Sequence, residues 1–135
     1  TTTDGASALY IAAQKGHVEV ARALMEVGGR ELAMLTNTNG ASALYVAAQE
    51  GHLEVVRALL EVGGRELAML TDNNGVSALI LAAQNGHVGV ALALMEVGGQ
   101  ELATQTTHNG WSAIDAAGQG WHLDVFYALT RGSWL

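Results

Sequence analysis

The chain has 135 residues, half of them hydrophobic and only 14% charged, which is too apolar for an intrinsically disordered acidic segment. Six basic and thirteen acidic side chains leave a net charge of −7, disfavouring non-specific binding to nucleic acid or an anionic membrane. The absence of cysteine excludes a disulfide framework and thiolate-ligated metal sites, and it is compatible with the cytosol, where we expect the protein.

The opening residues Thr1-Thr2-Thr3-Asp4 carry neither methionine nor a basic, apolar signal, so a trimmed or processed product is expected. Periodicity begins at once. Gly5, Gly40, Gly75 and Gly110 are spaced 35 residues apart, and residues 1–35 match residues 36–70 at 28 of 35 places. Residues 71–105 match the second unit at 21 of 35, and 106–135 form a shorter, divergent last unit. Repetition of this kind predicts one domain over 1–135, an all-α repeat solenoid of four stacked helix-turn-helix units (1–35, 36–70, 71–105, 106–135) with short projecting hairpins or turns.

Within the second unit, Ser42 precedes Ala43–Ala48 and is expected to cap a helix by accepting a backbone N–H. Leu44, Ala47 and Ala48 share one face, small enough for neighbouring helices to approach closely. Gly51 should end this helix in the left-handed conformation. A second helix is predicted from about Leu53 to Val62, with Val55, Val56, Leu59 and Leu60 inward. Glu54, Arg57 and Glu61 form its solvated stripe, spaced for weak attraction along the helix. Gly63-Gly64 should stop it, and the link from Arg65 leads to a turn near Asp72-Asn73-Asn74-Gly75.

In the third unit, Gly75 to Met95 is uncharged with His87 neutral, and it reaches the roughly 20 residues of a spanning helix. Gln84-Asn85-Gly86-His87 at its centre argues against a membrane. In the fourth unit, Ser112 and Asp115 have the spacing of a capping box. Trp111, Trp121, Phe126, Tyr127 and Trp134 concentrate the large aromatic rings at this end. The residues leave two readings open, a cover for the last repeat or a docking patch. Leu92, in the place of Arg22 and Arg57, should face solvent beside Tyr127, so Leu92, Tyr127 and Trp134 form a candidate secondary patch for another domain or a second copy.

The string Gly-x-Ser-Ala-Leu-Tyr-x-Ala-Ala-Gln-x-Gly-His-x-Glu-Val-x-Arg-Ala-Leu resembles the ankyrin repeat, whose unit reads Gly-x-Thr-Pro-Leu-His-x-Ala-Ala-x-x-Gly-His. Leu9, Ala12, Ala13, Gly16, His17, Val20 and Leu24 fall on family positions, as do their counterparts in the next two units. Serine-alanine replaces Thr-Pro, and Tyr10, Tyr45, Ile80 and Asp115 replace the family histidine, whose polar network is expected to give way to packing. The period of 35 rather than 33 implies a longer turn near Arg65-Glu66-Leu67 and its counterparts.

The resemblance implies a protein–protein interaction module, with partners on a concave side built from hairpin tips and first helices. By position the candidate contacts are Thr38, Asn39, Gln49 and Glu50; Asn73, Asn74, Val76, Gln84 and Asn85; then His108 and Trp111. Thr3, Asp4, Ala6, Gln14 and Lys15 hold the equivalent places in the first unit, joined by Ala41 in the second and by Asn109 and Gln119 in the fourth. This face is mostly neutral and hydrogen-bonding, with Trp111 the first candidate anchor for a peptide or protein surface. A structural or regulatory segment of a larger enzyme or channel, or an engineered scaffold without a natural ligand, remains the alternative.

Nothing in the sequence calls for catalysis, a cofactor or a metal. His17, His52, His87 and His122 recur once per unit, roughly 10 Å apart if neighbouring helices pack normally. Zinc ligands lie about 2 Å from their metal, so these histidines are expected to be structural. Ser112, Asp115 and His122 supply the residue types of a hydrolase triad, but no nucleophile elbow surrounds the serine. No glycine-rich phosphate loop is present.

Overall fold

The computed structural model describes residues 2–120 and 122–130, with side chains from residue 6 onward. Eight helices follow in order: α1 Thr2–Lys15, α2 Val18–Met34, α3 Ala43–Glu50, α4 Leu53–Met69, α5 Ala78–Gln84, α6 Val88–Thr104, α7 Ala113–Gln119 and α8 Leu123–Thr130. The first helices pack in sequence, α1 on α3, α3 on α5 and α5 on α7. The second helices form a parallel row, α2 on α4, α4 on α6 and α6 on α8. The result is an all-α repeat solenoid with one buried apolar cluster running from Leu9 to Leu129. No helix among the described residues is long and apolar enough to cross a membrane.

Local chemistry explains the elements. The Ser42 and Ser77 hydroxyls accept the amides of Tyr45 and Ile80, capping α3 and α5 as their position before the alanine run predicts. Ser112 and Asp115 close the expected capping box on α7. The alanines of the first-helix row, among them Ala47, Ala48, Ala82 and Ala83, are fully buried. Val55, Val56, Leu59 and Leu60 point inward, and Glu54, Arg57 and Glu61 face solvent. The expected left-handed stop occurs at Gly51, with φ 80°.

Three expectations need correction. The double glycine does not stop the second helix and release a loop. Gly64 turns with φ 62° and ψ −152°, and the chain then re-enters helix as far as Met69. That extra turn seats Leu67 and Ala68 in the core, and its counterparts seat Leu32, Ala33, Leu102 and Ala103. The two glycines have different duties. A Cβ on Gly63 would lie 2.5 Å from the Leu67 side chain, whereas Gly64 has open space but a conformation that L residues avoid. The longer period therefore builds core rather than lengthening a turn.

The second correction concerns the first unit, where Ser7 lies within α1 rather than before it. Residues 2–7, including Thr3 and Asp4 at the predicted tip, continue the helix instead of forming a hairpin. The third concerns charge pairing. Among the described residues the ion pairs run not along the stripe within one helix but between units, Arg22–Glu61, Arg30–Glu66 and Arg65–Glu101, at 3.2, 3.1 and 2.7 Å.

Candidate functional site

The links between units fold into short hairpins, the first two held by antiparallel bridges, Thr36 with Ser42 and Thr71 with Ser77. One side chain closes each. Asn37 Oδ1 accepts the amides of Asn39 and Ala41; Asp72 Oδ1 accepts those of Asn74 and Val76; Thr107 Oγ1 accepts those of Asn109 and Trp111. Adjacent hairpins are also joined, the Asn73 amide donating to the Asn39 carbonyl and the His108 amide to that of Asn74. These bonds fix the tips as one continuous edge beside the first helices.

Two open depressions lie along that edge and share Asn74. One, of about 410 Å³, is lined by Asn37, Asn39, Ala41, Tyr45, Val46, Gln49, Asp72, Asn73 and Asn74. The other, of about 620 Å³, is lined by Asn74, Val76, Thr107, His108, Asn109, Trp111 and Gln119. Trp111 is 38% exposed, enough to present a large part of its ring to solvent.

The structure thus brings together Asn39, Gln49, Asn73, Asn74, Val76, His108 and Trp111 of the predicted contacts. Thr38, Glu50, Gln84 and Asn85 are exposed on the same units but line neither depression. Several polar groups already have structural work. Asn73 Nδ2 donates to the Thr38 carbonyl, and Asn85 Nδ2 donates to that of Gln49. Leu92 and Tyr127 are both solvent-exposed on the second helices, away from the hairpins. Trp121 and Trp134 lie outside the described residues.

Sequence reasoning missed Asn37, Tyr45, Val46, Asp72 and Thr107 as lining residues. Val46 is part-buried against the core and reaches the depression only with its remaining exposed surface. Tyr45 and Asp72 could not be found by period alone, since their contact spans 27 residues. The Tyr45 hydroxyl donates to Asp72 Oδ2 at 2.6 Å. In the preceding unit, the Tyr10 hydroxyl donates to the carbonyls of Leu35 and Ala41. Tyrosine therefore keeps a polar network where packing alone was expected, and only the buried Ile80 follows that expectation.

Electrostatics distinguishes the Asp72 hairpin. Burial alone would raise the Asp72 carboxyl, but the Tyr45 hydroxyl, the Val76 and Asn74 amides and the nearby His108 together hold it below its ordinary value. Burial first, then the Asp72 carboxylate, pushes the Tyr45 phenol upward, and burial does the same to Tyr10.

His52 and His87 act between units rather than on their own helix starts. His52 Nε2 bonds the Gln14 carbonyl at 2.9 Å and His87 Nε2 bonds that of Gln49 at 3.1 Å. An acceptor carbonyl requires each ring to carry its proton on Nε2. No group of three or more histidine and carboxylate side chains is placed to hold a metal among the described residues.

Two family profiles match the chain, "Ankyrin repeats (3 copies)" over residues 1–68 and "Ankyrin repeats (many copies)" over residues 44–95. The chain belongs to the ankyrin-repeat family. No curated protein matches it. Ankyrin repeats generically serve protein–protein interaction. Its ankyrin hairpins and first helices account for both depressions described above.

Proposed function

We propose that this ankyrin array, acting as one four-unit domain over residues 1–135, binds a peptide or protein surface along its hairpin edge. The observation carrying this reading is the pair of contiguous depressions that share Asn74, ending on the exposed ring of Trp111. Their walls offer amides, hydroxyls and a limited apolar area at Val46, Val76 and Trp111. An extended segment with hydrogen-bonding backbone and one or two apolar side chains matches that chemistry. Trp111 supplies the anchor, because large aromatic side chains contribute disproportionately to binding energy. The net charge of −7 supports a protein rather than a phosphate backbone as partner.

The test is selection of binders from a random peptide library, followed by calorimetry on the parent, Trp111→Ala, Asn74→Ala and Leu92→Ala. Loss of at least about tenfold in affinity for the first two, with Leu92→Ala unchanged, is the expected result. Binding that survives both hairpin changes and fails with Leu92→Ala would move the site to the second-helix side.

A further inference from the structure

The two depressions on the hairpin edge differ in chemistry, and a single carboxylate makes the difference. Asp72 is the only charged side chain lining the smaller one. Its Oδ1 accepts the Asn74 and Val76 amides, and its Oδ2 accepts the Tyr45 hydroxyl. A carboxylate has about four acceptor positions, so these three donors leave one unused. Asp72 is part-buried rather than enclosed, and it forms no ion pair among the described residues.

Folding does not require a charge at this place. Asn37 closes the preceding hairpin with the same pair of bonds, from the amides of Asn39 and Ala41. Three neutral groups surround the Asp72 carboxylate. The side-chain amides of Asn39, Gln49 and Asn74 line the same depression, and none of them bonds to the protein among the described residues. Each is free to turn its oxygen toward a donor. The larger depression holds no carboxylate, and Val76 and Trp111 give it an apolar wall.

We infer that the smaller depression receives an arginine side chain of the bound segment while the larger receives an apolar one; this rests on the reading of the hairpin edge as a peptide site. A guanidinium carries five N–H donors in a planar fork, a shape suited to the open position on Asp72 and the amide oxygens around it. A lysine ammonium concentrates three donors at one point and satisfies fewer of them. The two subsites are offset by one repeat, the first lying between the Asn39 and Asn74 hairpins and the second between those of Asn74 and Asn109. Neighbouring helices stack roughly 10 Å apart. A polyproline II segment advances about 9 Å in three residues and returns to the same face. The arginine and the apolar residue therefore stand three positions apart in the segment. The net charge of −7 steers such a cationic segment toward the edge.

The test selects binders to the full chain from a random peptide library and reads which residues recur. Enrichment of arginine three positions from a large apolar residue, in either order, is expected. One such peptide is then measured by calorimetry beside its citrulline counterpart, which keeps the shape of arginine without its charge. The parent should bind the arginine form about tenfold more tightly. Asp72→Asn, which keeps the hairpin closed as Asn37 does, should remove that preference by weakening the arginine form alone. Glu54→Gln, the same charge change on the solvated stripe of α4, should leave both affinities as they are, and Trp111→Ala should weaken both alike. Binders that require Trp111 and Asn74 but show no arginine, or equal binding of the two peptides by the parent, overturn the arginine subsite and leave the peptide edge standing. So does a loss of the arginine preference that Glu54→Gln reproduces, since net charge and not Asp72 would then be its source. Absence of any binder, or binders indifferent to Trp111 and Asn74, dismisses the edge and the subsite with it.

Discussion

Tyr45 and Asp72 tie the first helix of one unit to the hairpin that follows it, hydroxyl to carboxylate at 2.6 Å. The same carboxylate closes the hairpin through its other oxygen. Where asparagine stands in its place, at Asn37, the hairpin closes equally but Tyr10 turns to backbone carbonyls instead. Where the helix residue is Ile80, no hydroxyl needs an acceptor, and Thr107 suffices. The hairpin-closing side chain therefore decides where the helix tyrosine donates, to a carboxylate at Asp72 and to backbone carbonyls beside Asn37.

Tyr45→Phe is expected to lower stability at pH 7 by about 1–2 kcal/mol, a charge-assisted hydrogen bond discounted for partial exposure. Asp72 is held below its unfolded value of 3.8, so its contribution is present above that pH and is lost as pH falls through the native value. The deficit should accordingly narrow between about pH 5 and pH 2. The raised Tyr45 phenol acts in the opposite direction: its contribution is present below its unfolded value of 10.0 and fades as pH climbs toward the native one. Urea titrations of parent and variant at neutral and acid pH decide the point. An identical deficit at both would mean that the hydroxyl stabilises the fold without involving the carboxylate.

Gly51 carries two constraints at once, a φ of 80° and the ring of His87 2.7 Å from where a Cβ would stand. Gly51→Ala should cost roughly 1–2 kcal/mol for the backbone alone, with the clash added. His87→Ala removes the ring together with its bond to Gln49, so the two changes should be strongly non-additive, the double variant being less destabilised than the sum. Gly64→Ala meets no neighbour and should cost about 1–3 kcal/mol from backbone strain alone, additive with His87→Ala. Thermal melts of the three singles and two doubles test this, and additivity at Gly51 would contradict the packing of His87.

Repetition makes the architecture legible in the sequence: the 35-residue period, the serine caps, the alanine-lined first helices and the left-handed Gly51 all follow from local chemistry. The hairpin edge was legible at its tips, where Asn39, Asn74 and Trp111 precede the capped helices. What could not be read depended on pairing between units. A period aligns Arg30 with Arg65 but does not show that each reaches a glutamate 36 residues on. Likewise Tyr45 replaces a family histidine, and nothing local announces an acceptor at Asp72. The helical turn after Gly64 was hidden because a glycine pair ordinarily ends a helix, whereas here one glycine turns the chain and the other admits Leu67.

Leu67→Ala tests whether that turn belongs to the core. Leu67 is 1% exposed and packs against Gly63, so truncation should cost about 2–5 kcal/mol. Had these residues formed only a longer solvent-facing turn, the change would stay within roughly 0.5 kcal/mol. Chemical denaturation of the single variant separates the two sizes without ambiguity.

The Arg65–Glu101 pair should behave in the opposite way, despite its short distance of 2.7 Å. Its side chains retain 49% and 75% of their exposure, so solvent screens the attraction and holding both chains in place costs entropy. Arg65→Ala is expected to change stability by less than about 1 kcal/mol, and by less still at high salt. The pair contributes register more than energy: with Arg30–Glu66 it recurs at the same offset, and like charges brought together by a slip would be disfavoured. A charge reversal of Arg65 to glutamate should therefore destabilise more than alanine, and a compensating Glu101→Arg should recover most of that difference. Denaturation midpoints at low and high salt check both statements, and a reversal no worse than alanine would leave the pair without a role in register.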